Sequence, residues 1–159
     1  MSTNSLPAPV LRVADTLRRW VWRAFGPRTV GVRGLVVDGE DRVLLVRHSY
    51  GQRVWQLPGG GVHRRESLVA ALHRELREET GVIVTGPVRL LGTYSSLTDG
   101  KSDHISVFVV DTFEREDNDS TEVDAARFFP MDDLPEDASP ATKRRVEDLR
   151  RGEVRAFDW

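Results

Sequence analysis

The chain has no cysteine among its 159 residues, which excludes disulfides, thiolate metal centres and thiol nucleophiles. Lysine occurs only at Lys101 and Lys143, so the 23 basic residues are nearly all arginine, a bias that a GC-rich coding sequence accounts for. No apolar run approaches the roughly 20 residues of a membrane-spanning helix, so no membrane partner is expected. The opening residues, Met1 to Pro7, lack the charged-then-apolar pattern of a secretory signal, and the expected compartment is the cytoplasm. A formal net charge of −2 gives no general pull toward nucleic acid, which is not an expected partner. Internal repeats and low-complexity linkers are absent as well. What remains is the length and 39% hydrophobic content of an ordinary soluble domain with a real core.

The informative stretch runs from residue 60 to residue 82. Ser67 can cap a helix whose Leu68, Leu72 and Leu76 form one apolar stripe, and Gly81 ends it. Glu75, Glu78 and Glu79 stand at i, i+3 and i+4, so their carboxylates share a face. Such an arrangement is costly as pure structure. Like charges at this spacing repel, and anions in the last turn oppose the helix dipole, at about 0.3–1 kcal/mol each. A hard cation with oxygen ligands removes the conflict. A solvated acidic helix end is the alternative. Before the helix, Trp55 to Gly61 reads as a short strand entering a glycine-rich turn, where the backbone can approach a ligand closely.

Gly60, five residues, Glu66, seven residues, then Arg74-Glu75-Leu76 and Glu78-Glu79, closed by Gly81-Val82, resembles the signature of the Nudix hydrolases. Seven of its slots demand one residue type each, and at about one in twenty per type a chance match is far below one in a million. The similarity extends from about Thr29 to Leu134. It implies an α/β fold, the α/β/α sandwich with a mixed sheet. It also implies hydrolysis of a diphosphate linkage with Mg²⁺, or Mn²⁺, as cofactor. By the same resemblance Glu75, Glu78, Glu79 and the carbonyl of Gly60 hold the metal, and Arg74 orients the cluster. Glu78 is the first candidate for the general base, and Glu122, from the acidic loop of residues 114–122, is the second. Glu66 is expected to tie loop to helix rather than to ligate. The chain departs from the family at His63-Arg64-Arg65, where a glycine is missing from the turn.

Around this core the reading is coarser. An amphipathic helix is expected over residues 9–25, within an N-terminal extension of residues 1–28, packed on its own domain or across a homodimer. Residues 29–159 form the catalytic domain. Strands are expected at 29–38 and 42–48, joined as a hairpin, then near 88–95, 104–113 and 126–129. A last helix starts at Ser139-Pro140 and runs to about Arg151. Trp55, Tyr50, Arg33 and His104 are the candidate substrate-binding residues for a small nucleotide-like diphosphate, with His48 a further one. Two other readings stay open: a catalytically silent binding module, and an RNA 5′-end pyrophosphohydrolase, which would want a basic, aromatic-lined path.

Overall fold

The computed structural model describes residues 28–49, 53–97, 102–118, 123–153 and 158–159. The expected N-terminal helix, Tyr50 and Glu122 lie outside these residues. Among the described residues the chain forms β1 (Arg28–Val36), β2 (Arg42–His48), α1 (Leu68–Thr80), β3 (Val82–Val84), β4 (Arg89–Ser96), β5 (Ser102–Val110), β6 (Phe113–Arg115), β7 (Val123–Pro130) and α2 (Pro140–Arg151).

β1 runs parallel to β5, and β4 is antiparallel to β5. In this mixed sheet the C-terminal halves of β1 and β5 are buried on both faces, so Gly34–Val36 and Val107–Val110 are continuously apolar. The pleat divides them. Val32, Val36, Phe108 and Val110 pack with Ala71, Leu72 and Leu76 of α1. Leu35, Val107 and Val109 face the other way, with Tyr94 and Val146 of α2. One helix thus covers each face, which is the expected α/β/α sandwich.

The expected hairpin does not form as a ladder. Val37 and Val43 make a single antiparallel bridge, and Asp38 N–H donates to the Arg42 carbonyl at 3.0 Å. Beyond that turn β2 leaves to pair with β7, from Arg42–Pro130 to His48–Val123. The other flank of β1 is taken by the glycine segment instead. Val32 N–H donates to Gly60, Gly34 N–H to Pro58, and Val62 N–H to the Val30 carbonyl, all at 2.9 Å. Two three-residue strands, β3 and β6, pair with each other. β6 occupies part of what the sequence presents as acidic loop.

Both helices have the expected ends. Ser67 Oγ accepts from Ala70 N–H at 3.1 Å, and Gly81 closes α1 with φ 69°. Ser139 caps α2 through Thr142 N–H at 3.1 Å, Pro140 fills the first turn, and Gly152 closes the helix with φ 66°. The last turn of α1 is further satisfied from outside. Asn118 Nδ2 donates to the Glu78 carbonyl at 2.8 Å, and Arg115 Nε donates to that of Thr80 at 3.2 Å. These donors offset the anions that burden that end of the helix.

Candidate active site

The glycine segment and α1 are brought together by two carboxylates. Gly59 has φ 133°, and a Cβ there would run into the Val32 carbonyl, so the backbone passes β1 at a distance only glycine permits. A Cβ on Gly60 would lie 2.5 Å from Oε1 of Glu75. That bare backbone is the cradle in which Glu75 sits. Glu79 is buried, and its Oε2 accepts from Gly59 N–H at 2.7 Å. On its other side, Oε1 stands 3.4 Å from Nε2 of His48, itself buried at the end of β2. Glu78 is exposed.

Arg74 collects the remaining charge. Its guanidinium grips Glu66 with both oxygens, through Nε at 2.8 Å and Nη2 at 3.0 Å. The same group donates to Glu75 Oε1 at 2.7 Å, to Glu78 Oε2 at 3.2 Å and to the Gly61 carbonyl at 3.0 Å. One cation is thereby shared by three carboxylates. The bonds from Arg74, with His63 N–H donating to Oε2 at 2.8 Å, hold the Glu66 carboxyl down at about 2. The same pairing, with Glu66 first, pushes the Arg74 guanidinium up. Glu66 therefore ties the loop to the helix, as the sequence suggests. Where the glycine is missing, Arg65 adopts φ 63°, a left-handed conformation unfavourable to an arginine.

Glu75, Glu79, Gly59 and Gly60 line a cavity of about 740 Å³. Its cationic side is Arg33 from β1 and Arg144 from α2, and Trp159 lines it as well. α2 reaches it because residues 55–57 are stitched to its N-terminus. Ser139 N–H donates to the Trp55 carbonyl at 2.8 Å, and Leu57 N–H to Thr142 Oγ1 at 3.3 Å. Glu79 also borders a second cavity of about 480 Å³, lined by Asn118, Val123 and Asp124 at the C-terminal end of α1.

Of the substrate-binding candidates, Arg33 and His48 line the cavity, and Trp55 and His104 do not. Trp55 is 5% exposed, edge-on to Phe129 at 4.9 Å and under the Arg47 guanidinium at 5.0 Å, so its ring is core and not a stacking wall. His104 sits on β5 opposite Ser95, with Nδ1 and Oγ 3.1 Å apart, and pairs within the sheet instead of lining the cavity. The Gly60 carbonyl already accepts from Val32 and has one lone pair left. Arg144 and Trp159 were not among the candidates. Arg144 lies on a helix of ordinary charged appearance, and Trp159 is 77 residues beyond the glycine-to-valine stretch, so only the tertiary structure unites them with the glutamates.

The donor set is hard oxygen throughout, which suits a divalent cation that retains water. Among the described residues no three acidic or imidazole groups converge as a finished cage. The reason is visible in the partners. Glu75 and Glu78 lean on Arg74, while Glu79 leans on Gly59 N–H and His48.

The model of the NUDIX domain matches residues 27–149. This chain belongs to the Nudix family. The ADP-ribose pyrophosphatase of Methanocaldococcus jannaschii is 30% identical over 118 residues, spanning 72% of this chain and 69% of that protein. The RNA pyrophosphohydrolase of Teredinibacter turnerae is 48% identical over 48 residues, but the match spans only 30% of this chain and 28% of that protein's length. Among solved structures, the MutT Nudix hydrolase of Burkholderia pseudomallei superposes with a TM-score of 0.68 at 26% identity, over 77% of this chain and 98% of that one. Nudix hydrolases generally use divalent metal ions, and the oxygen donors of this Nudix chain suit that use. No helix among the described residues is long and apolar enough to cross a membrane.

Proposed function

We propose that this Nudix protein hydrolyses the diphosphate linkage of a nucleoside diphosphate derivative, with Mg²⁺ or Mn²⁺ as cofactor. The observation that carries the reading is the approach of Glu75 and Glu79 to the Gly59–Gly60 backbone, in a cavity that Arg33 and Arg144 also line. Glu75, Glu79 and Glu78 would hold the metal, with the free lone pair of the Gly60 carbonyl beside them. When bound, the cation neutralises phosphate oxygens and acidifies water.

The chain's own residues supply the rest. Arg33 and Arg144 bind the charge of the two phosphates and orient the linkage. Arg74 fixes the direction of Glu75 and Glu78 through its donors. Glu78, exposed and held only at 3.2 Å, has room to take the proton of the attacking water. Glu122 is the second candidate, because its sequence neighbour Val123 lines the second cavity with Glu79. Relatives named ADP-ribose pyrophosphatase, 8-oxo-dGTP diphosphatase and RNA pyrophosphohydrolase define the panel for the test.

The experiment is turnover of ADP-ribose, nucleoside triphosphates including oxidised ones, and 5′-triphosphorylated RNA, with Mg²⁺ and with excess chelator. Hydrolysis should stop in chelator and return with Mg²⁺ or Mn²⁺, and Glu78→Gln should lower kcat by roughly 10²–10⁴-fold, the usual worth of a general base. Full activity in chelator would refute the reading.

A further inference from the structure

Residues 158–159 are fastened to the domain with unusual care. Asp158 bridges Ser95 of β4 in parallel register, and Trp159 N–H donates to the Ser95 carbonyl at 3.0 Å. Arg145 Nη1 donates to the Asp158 carbonyl at 3.1 Å. That arginine is 1% exposed, lies 3.7 Å from the centre of the Tyr94 ring, and has Nε 3.1 Å from Asp148 Oδ2. A buried arginine is an expensive way to hold two residues if they only fill space. What it secures is the position of an indole. Trp159 packs 6.3 Å from Tyr94 at a tilt of 56°, is only partly buried, and lines the same cavity as Glu75, Glu79 and Gly60. The adjacent Arg144 lines that cavity from the same turn of α2.

We infer that Trp159 is a specificity-determining residue that stacks on the nucleobase of the substrate, with the diphosphate lying toward Arg144 and the glutamates. Arg145 is then the positioning residue that holds the stacking wall in place. The inference rests on the diphosphatase reading and adds the aromatic end of the substrate to it. Stacking on an indole is tolerant of base identity, because every base has a π face. The wall therefore selects for a base without choosing strongly among bases.

The test compares wild type and Trp159→Ala on adenosine, guanosine and uridine diphosphate derivatives, with an alkyl diphosphate lacking a ring as the reference. Trp159→Ala should raise KM for all three nucleoside substrates by roughly 5- to 150-fold, the range a lost base–aromatic stack produces, at unchanged kcat. KM for the alkyl diphosphate should not move, and Trp159→Phe should recover most of the loss. An unmoved nucleoside KM, or an equal shift for the alkyl diphosphate, would overturn the inference while leaving the glutamate site intact. Should Trp159→Ala fail to fold, Trp159→Leu keeps the packing volume without the π face and carries the same expectations. If the wild type turns over none of these compounds, the diphosphatase reading falls instead. Equilibrium dialysis of ADP against both proteins then decides the wall: weaker binding by the variant supports it, and equal binding overturns it.

Discussion

Two arginines, one on each helix, organise the two faces of the sheet in opposite ways. Arg145 on α2 is enclosed, with one carboxylate, one aromatic ring and one carbonyl as partners. Arg74 on α1 is partly open and faces three carboxylates and a carbonyl. The first hub is balanced in charge. The second is over-supplied with negative charge, and one of its carboxylates, Glu75, lines the cavity beside the glycine backbone. A balanced buried pair is scaffold, because any unpaired member would be costly. An unbalanced, half-open one fits the cation proposed above. The same side chain, used with different stoichiometry, separates framework from site.

Removing the balanced hub should have the largest effect on folding. Arg145→Met leaves Asp148 buried without its cation and should cost about 3–5 kcal/mol in denaturant unfolding. A cost no larger than that of an ordinary surface substitution would erase the distinction between the hubs. At Arg74 the loss should instead fall on the cation. Arg74→Lys keeps the charge but not the planar fork, and should raise the Mg²⁺ concentration for half-maximal activity by roughly 10–100-fold, with little change in unfolding. A pure stability loss there would make it a second scaffold.

The region around Arg74 also contains a local misfit. Arg65→Gly should stabilise the protein by about 0.5–1 kcal/mol, because φ 63° suits glycine and strains arginine. A thermal melt of the single variant checks it, and a lower Tm would mean that the arginine makes a compensating contact. The smallest effect concerns Glu66. Its carboxyl falls from the ordinary 4.5 to about 2 on folding, so the folded state favours the ionised form. The stabilisation is therefore complete above pH 4.5 and disappears as the pH falls toward 2. The stability gap between wild type and Glu66→Gln should follow that window in urea titrations. A gap unchanged down to the acid end would show that Glu66 acts by packing and not by charge.

The parts of this site that are legible in the sequence are the local ones. Ser67, Gly81 and the Leu72–Leu76 stripe announce the helix, and the i, i+3, i+4 spacing announces the carboxylate face, because each rests on contacts within a turn or two. β2 and the last helix are legible for the same reason. The destination of a strand is not. Nothing local in residues 42–48 says that they pair with β7, some 80 positions later, and not back onto β1. β3 and β6 are three residues each, too short to show a period. Trp55 illustrates the limit in a single side chain. An aromatic beside a glycine turn reads equally well as wall or core, and only its contact with Phe129 decides it. Trp159 is the reverse case, a terminal aromatic that gains meaning from Ser95 and Arg145.

One consequence of the glycine segment reaches beyond chemistry. By donating and accepting along β1 it occupies the flank that β5 leaves open, so the strand presents no bare row of amides to solvent. Peeling residues 58–62 away would uncover a long apolar edge of the kind that recruits strands from other molecules. The same five residues thus cover the strand edge and carry the glycines of the proposed site. Substitutions that loosen this segment should produce not only sluggish enzyme but protein prone to self-association, visible as growth in light scattering before any loss of helix signal.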